Sequence, residues 1–243
     1  AQDVGDGTLA VETLGSVGTE VGTYILTYSA TDSAGNSATT TRTVIVQSAP
    51  PENDSTDLMV FNNGLVDSVW DAGISAFDAA IGFGECNNDG GAGCPSISWS
   101  IVADSERGDV LQIAHTSAGD LAGVFMETSS PLDASGFSAG SVVFDINVVS
   151  GDSGITMKLD CVFPCTSGDY ALGSKGIAGW ETVTVPFSAL IKGGLDVRKI
   201  STGIVIWATN SESTVFQIDN VRFTGFDDSV QPSTGDYTIT AYG

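Results

Sequence analysis

The sequence predicts an all-β protein in two parts: a small strand-and-turn unit at the start, then a larger antiparallel sandwich of jelly-roll type. Three observations carry this. Glycine supplies 30 of 243 residues, well above the usual share of about 7 %, which suits a chain with many tight turns. Short segments rich in Val, Ile, Thr and aromatics recur along the chain with turn residues between them. Helical periodicity is weak throughout, and only 69–81 and 187–191 read as short helical turns.

Composition bounds the partners. The chain carries 30 acidic and 8 basic side chains, a formal charge of −22. Nucleic acid and anionic membranes are poor partners for it, because both need a Lys/Arg surface to displace counterions. Charged residues are only 16 % and hydrophobic ones 42 %, so the chain can bury a core and is not a disordered acidic tail. No apolar run approaches the roughly 20 residues that span a bilayer. No basic-then-apolar leader opens the chain, so a secretion signal is expected to be removed already or to lie upstream. The acidity fits a secreted protein of a salty, marine setting, where charge is screened.

The four cysteines form two local pairs. Cys86 and Cys94 flank a Gly/Asn loop, and Cys161 and Cys165 bracket CVFPC. Neither pair has a metal-knuckle spacing, and His115 is the one histidine, so two short-loop disulfides read better than a zinc site. Disulfides imply an oxidising compartment: secretion or the cell surface.

Residues 1–47 read as strands and turns. Thr23–Ala30 alternates, 31–36 supplies a turn, and Thr39–Val46 returns, making a hairpin. The segment VGTYILTYSATDSAGNSATTTRTVIV resembles the final half of bacterial immunoglobulin-like repeats over residues 3–47. The resemblance implies a partial immunoglobulin-like sandwich whose opening strands are missing. The chain is therefore expected to start inside a repeat of a longer protein, unless another segment supplies those strands. Residues 48–57, SAPPENDSTD, read as a polar, proline-bearing linker.

Residues 58–226 form the main domain, with strands expected at 58–61, 96–102, 110–116, 122–127, 141–149, 155–163, 181–187, 203–208 and 215–223. Three phrases, GWETVTVPFSAL, GIVIW and FQIDNVRF, together resemble the galactose-binding-like jelly-roll carbohydrate-binding modules of polysaccharide-degrading enzymes. The likeness is to modules of marine β-glucanases and laminarinases. Residues 227–243 read as a turn-rich tail, with 237–242 as an edge strand or the opening of another module.

Strand parity supplies the candidate binding residues. With Val142, Phe144, Ile146 and Val148 on the core face, Asp145 and Asn147 point outward. The same argument turns Gln112, Phe125, Glu127, Lys158, Asp160, Trp180 and Gln217 outward. Parity alone fits an ordinary solvated face as well as a sugar site, and Trp180 fits a half-buried core position equally. The resemblance tips the reading to binding, because pyranose rings stack on aromatics and their hydroxyls need paired donors and acceptors. Trp180 is expected as the stacking platform on one face with Gln112, Phe125, Asp145, Asn147, Lys158 and Asp160. Trp207, inside an unbroken apolar run that leaves its face unassigned, is a further candidate. Trp70 and Trp99 read as packing residues.

The resemblance also implies a structural Ca2+ near the first and last strands. Asp219 of the IDNV phrase matches one expected ligand, with Asp71, Asp78 and Asp104 as candidate partners. Each of those three reads individually as a turn cap or solvated acid. Nothing marks a catalytic centre: with 30 acids any carboxylate pair can be drawn, no HExxH occurs, and His115 reads as a hydrogen-bonded strand-end residue. The expectation is a non-catalytic module that binds polysaccharide, β-glucan and laminarin in particular, beside a catalytic domain elsewhere in the full-length protein. The alternative is a structural or adhesive surface protein.

Overall fold

The computed structural model describes residues 1–18, 22–46, 56–87, 93–116, 121–151, 153–175, 179–209 and 213–230. Most of the expected linker and the expected strand at 237–242 lie outside them. The chain divides into two compact units. Among the described residues no helix is long and apolar enough to cross a membrane.

The first unit holds a two-strand ribbon, β1 (Gln2–Asp3) with β2 (Gly7–Thr8), and a three-stranded antiparallel sheet. That sheet runs β3 (Glu12–Leu14), β4 (Gly22–Thr31), β5 (Ser37–Val46). The expected hairpin is present and in unbroken register from Gly22↔Val46 to Thr31↔Ser37. Its turn is tied by Asp32, whose carboxylate accepts from Asn36 N and Nδ2, both at 2.7 Å. Gly35, at φ 90°, takes the left-handed position there. Leu14 and Ile25 stand exposed at 77 % and 61 %, as befits a sheet with one layer.

The second unit is an antiparallel sandwich. Its strands are β6 (Leu58–Asn62), β7 (Leu65–Val66), β8 (Gly73–Asp78), β9 (Gly84–Asn87), β10 (Ile97–Asp104), β11 (Gly108–His115) and β12 (Ala122–Leu132). They continue as β13 (Ser141–Ser150), β14 (Ser153–Lys158), β15 (Tyr170–Lys175), β16 (Glu181–Pro186), the short helix α1 (Phe187–Gly193), β17 (Ile200–Ala208) and β18 (Thr214–Thr224). One sheet has seven strands, in the order β10-β11-β18-β13-β16 with β6 joined to β18 and β7 to β6. The other has six, in the order β15-β14-β17-β12-β8-β9.

The core follows from alternation. Val142, Phe144, Ile146 and Val148 of the seven-stranded sheet and Val124, Met126, Ile204 and Ile206 of the six-stranded sheet belong to one buried cluster. Trp70 fills its end at 1 % exposure and donates its indole N–H to Met59 O at 3.0 Å. Trp99 packs against the same cluster, so both tryptophans are packing residues as read. The helical turn expected within 69–81 is present as a one-turn 3-10 helix, Ala79–Ile81, while the segment before it is strand β8. The strand expected over 155–163 ends at Lys158, because the chain then turns through the Cys161–Cys165 loop. Both cysteine pairs are bonded as expected, Cys86 to Cys94 and Cys161 to Cys165.

Candidate functional site

The outward face of the six-stranded sheet carries an apolar cluster that does not belong to the core. Strand β12 pairs with β17 through Phe125↔Val205 and Val124↔Ile206, and with β8 through Gly123↔Phe77. Val124 and Ile206 point inward, so Phe125, Val205, Trp207 and Phe77 point outward. These four pack on each other as a separate cluster. Trp207 is nearly buried, at 4 % exposure, and meets Phe77 edge-on at 6.5 Å between ring centroids. Gly123 is required beneath: a Cβ there would sit 2.7 Å from Phe77 Cε1.

A bulge sets the far end of this face. The β12–β17 register passes from Met126↔Ile204 to Glu127↔Thr202, so Gly203 is an extra residue. Gly203 turns inward, where a Cβ would come within 2.4 Å of Val60 Cγ1, and Thr202 turns outward. The hydroxyl of Thr202 accepts from Asp160 N at 2.7 Å.

Above the sheet lies a cleft of about 560 Å³, with Phe77, Phe125 and Val205 on its floor. That is within the usual range for small-molecule sites, roughly 300–1,000 Å³. Lys158 and Asp160 line one side as an ion pair at 2.8 Å. Beyond them stands the Cys161–Cys165 loop, whose sulfurs each accept from Asp196 N at 3.4 Å. Phe163 on this loop is 93 % exposed and lines the cleft. Glu85 and Glu127 line it too. Burial, then repulsion from Glu85 and Asp160, holds the Glu127 carboxyl above its ordinary range. Flat apolar rings below and hydroxyl acceptors around them suit a sugar chain chemically.

The seven-stranded sheet presents a different outer face. Gln217 donates to Gln112 Oε1 at 3.2 Å and accepts from Asn147 Nδ2 at 3.0 Å, a ladder of amides across three strands. Asp145, 3 % exposed, accepts from the Thr182 hydroxyl and from Asn220 Nδ2. Trp180 is half-buried and lies directly before the edge strand β16. The expectation of one shared face is therefore corrected. Phe125, Lys158, Asp160 and Trp207 come together on the six-stranded sheet, while Gln112, Asp145, Asn147 and Trp180 belong to the opposite one. Parity tells inside from outside on each strand, but a sandwich has two outsides.

The four acids expected around calcium do not form one group. Among the described residues no three His, Cys, Asp or Glu side chains gather as a metal site. Asp71 binds strand β12, accepting from Ser129 N at 2.7 Å and Ser129 Oγ at 2.6 Å, and these bonds hold its pKa low. Asp78 accepts from Ala80 N and Ser96 N, and Asp104 ends β10. Asp219 has other company. It is the cross-strand partner of Asp145, both are 3 % exposed, and its carboxylate accepts from Asn63 N at 3.0 Å. Nearby on β6 and β18, Asn62 Oδ1 and Asn220 Oδ1 are buried with no hydrogen-bond partner among the described residues. Carboxylates beside orphaned amide oxygens are the donor chemistry that suits Ca2+.

His115 is the strand-end residue expected. Its Nε2 lies 2.8 Å from Ala122 O, and burial lowers its pKa. The sequence reading missed Phe77, Val205, Glu85 and Phe163. Of these only Phe163, a large aromatic inside a two-cysteine loop, carried a signal that a rim residue would give.

Comparison with known proteins bears on both units. The family model described as bacterial surface protein, Ig-like domain, matches residues 1–46. No curated protein matches the chain in sequence. The extra C-terminal domain (X) of an exo-1,3/1,4-β-glucanase from a Pseudoalteromonas species is similar in structure: TM-score 0.50, 15 % identity, 76 % of this chain and 99 % of that domain. Against the whole enzyme the TM-score is 0.50 at 16 % identity, over 85 % of this chain and 24 % of the enzyme. The family 11 carbohydrate-binding module from Clostridium thermocellum, in complex with a β-1,3-1,4-mixed-linked tetrasaccharide, has TM-score 0.47 and 16 % identity over 70 % of this chain and 96 % of the module. At such identities the X domain shows the fold, an all-β sandwich as read from the sequence.

Proposed function

We propose that the second unit is a non-catalytic carbohydrate-binding module, and that its site is the cleft over the six-stranded sheet. The observation that supports this most is the outward cluster of Phe77, Phe125, Val205 and Trp207 beneath an open cleft. Phe77, Phe125 and the rim Phe163 would meet the apolar faces of sugar rings, with Trp207 bracing Phe77 from behind. Lys158, Asp160, Glu127 and Thr202 would meet hydroxyls. A β-glucan, with laminarin-type β-1,3-glucan first, is the ligand this reading names. A strand-built floor is rigid, so little ordering entropy opposes binding.

The module would raise the local concentration of an attached catalytic domain at its polymer. Two disulfides and the surface-protein match at residues 1–46 support a secreted or cell-surface location. That same match favours a second reading, an adhesive surface protein. The reading includes a structural Ca2+ held by Asp219 and Asp145 with the amide oxygens of Asn62 and Asn220, joining the first strand of the unit to its last.

Affinity gels with laminarin, cellulose, xylan and agarose test the function. Retardation by laminarin, without release of reducing sugar, is the expected result. Retardation by none of the four would favour the adhesive reading. Sugar release lost in Glu127→Gln would replace the module by an enzyme.

A further inference from the structure

The cleft holds more negative charge than it neutralises. Three carboxylates, Glu85, Glu127 and Asp160, and one ammonium, Lys158, line it. Lys158 is committed to Asp160 at 2.8 Å. The Glu85 and Glu127 side chains have neither an ion pair nor a hydrogen bond among the described residues. Their placement is fixed by the sheet. Glu85 is the cross-strand partner of Phe77, and Glu127 follows two residues after Phe125 on the same face of β12. The acids therefore stand directly beside the aromatic floor, where a bound ring would lie.

We propose that Glu85 and Glu127 are a charge filter: they let the cleft take uncharged glucan chains and reject chains bearing carboxylates or sulfates. This rests on the cleft being the glycan site. Stacking on Phe77 and Phe125 reads only the flat apolar face that neutral and acidic sugars share, so the floor cannot tell them apart. The two carboxylates can. A sugar hydroxyl offers them a donor, whereas an anionic substituent brings a like charge into a partly dehydrated site. Burial first, and then repulsion from Glu85 and Asp160, raises the Glu127 pKa, which is consistent with a site that resists one more negative charge.

The test compares neutral laminarin with laminarin oxidised at C6 to its polyuronate, a ligand of the same backbone that carries carboxylates. The wild-type protein should bind laminarin at least about tenfold more tightly. Added salt should raise the affinity for the oxidised form while leaving laminarin nearly unchanged. Glu85→Gln/Glu127→Gln should narrow the gap severalfold. Asp109→Asn/Glu181→Gln, which removes the same charge from the seven-stranded sheet, should leave it intact. The overall charge of −22 would affect both pairs of variants alike, so equal narrowing by the two overturns the filter. Equal wild-type affinity for the two polymers also overturns it and leaves the binding module standing. Failure of laminarin itself to bind removes both. The salt series needs no variant, so misfolding of a variant does not obscure the answer.

Discussion

The two outer faces of the sandwich are built from strands of similar length and alternation, yet they are chemically unlike. The six-stranded face puts apolar rings outside the core and leaves Glu85 and Glu127 near them without a hydrogen bond or ion pair among the described residues. The seven-stranded face spends its polar side chains on each other, through the Gln112–Gln217–Asn147 ladder and the bonds to Asp145. A satisfied polar network rigidifies a surface and has little left to offer a ligand. An apolar patch with unpaired acceptors still has something to gain from one. On the proposed function, the difference separates a recognition face from a face that holds the fold.

The largest expected effect breaks or confirms that division. Phe77→Ala should weaken glucan binding by roughly 1–2 kcal/mol, about five- to thirtyfold, measured by affinity electrophoresis. Trp180→Ala should leave binding unchanged. The opposite pattern would move recognition to the seven-stranded face.

Calcium sharpens the other side of the comparison. A chelator should lower the melting temperature, because an ion bound only by the folded state stabilises it by about 2.7 kcal/mol at a hundredfold excess over its Kd. Asp219→Asn should remove the response, and Glu127→Gln should keep it. An unchanged melting curve with chelator argues against the ion.

Smaller still is the effect of the rim. Cys161→Ser/Cys165→Ser should cost a few-fold in glucan affinity through Phe163, and Cys86→Ser/Cys94→Ser less. Intact-mass measurement should show four hydrogens gained on full reduction of the native protein.

The smallest effect is electrostatic. The Glu127 carboxyl is raised above its ordinary 4.5 in the fold, so the folded state holds the proton more tightly than the unfolded state. Stability therefore falls as pH rises from that ordinary value through the folded one. Glu127→Gln should melt slightly higher than wild type at neutral pH and alike near pH 3.5, by calorimetry. Equal melting at both would mean that neither burial nor the neighbouring acids raise the Glu127 pKa.

Much of the fold was legible because alternation is local. The β4–β5 hairpin, the inward set of β13 and the two disulfides were readable from neighbouring residues alone. Strand β8 was not: Gly73, Ser75 and Ala76 pack poorly by themselves, and the segment becomes a strand through its pairing with β12. Nor does an unbroken run such as GIVIW declare its outward residues, since the bulge at Gly203 exists only in register with Glu127. The site was half legible for the same reason. Which strands share a sheet depends on pairings between residues far apart, such as Asn147 with Gln217 and Phe125 with Val205.

Gly123 gives this protein a dial that no ligand-facing residue offers. The Phe77 ring rests where a side chain at 123 would be, so the residue under the floor sets the floor's height. Gly123→Ala would tilt the Phe77 ring upward, and the cleft would become shallower without a substitution at any residue proposed to meet a sugar. Selection for a thicker or thinner polymer could act through that one hidden position, leaving the core and the charged rim as they are.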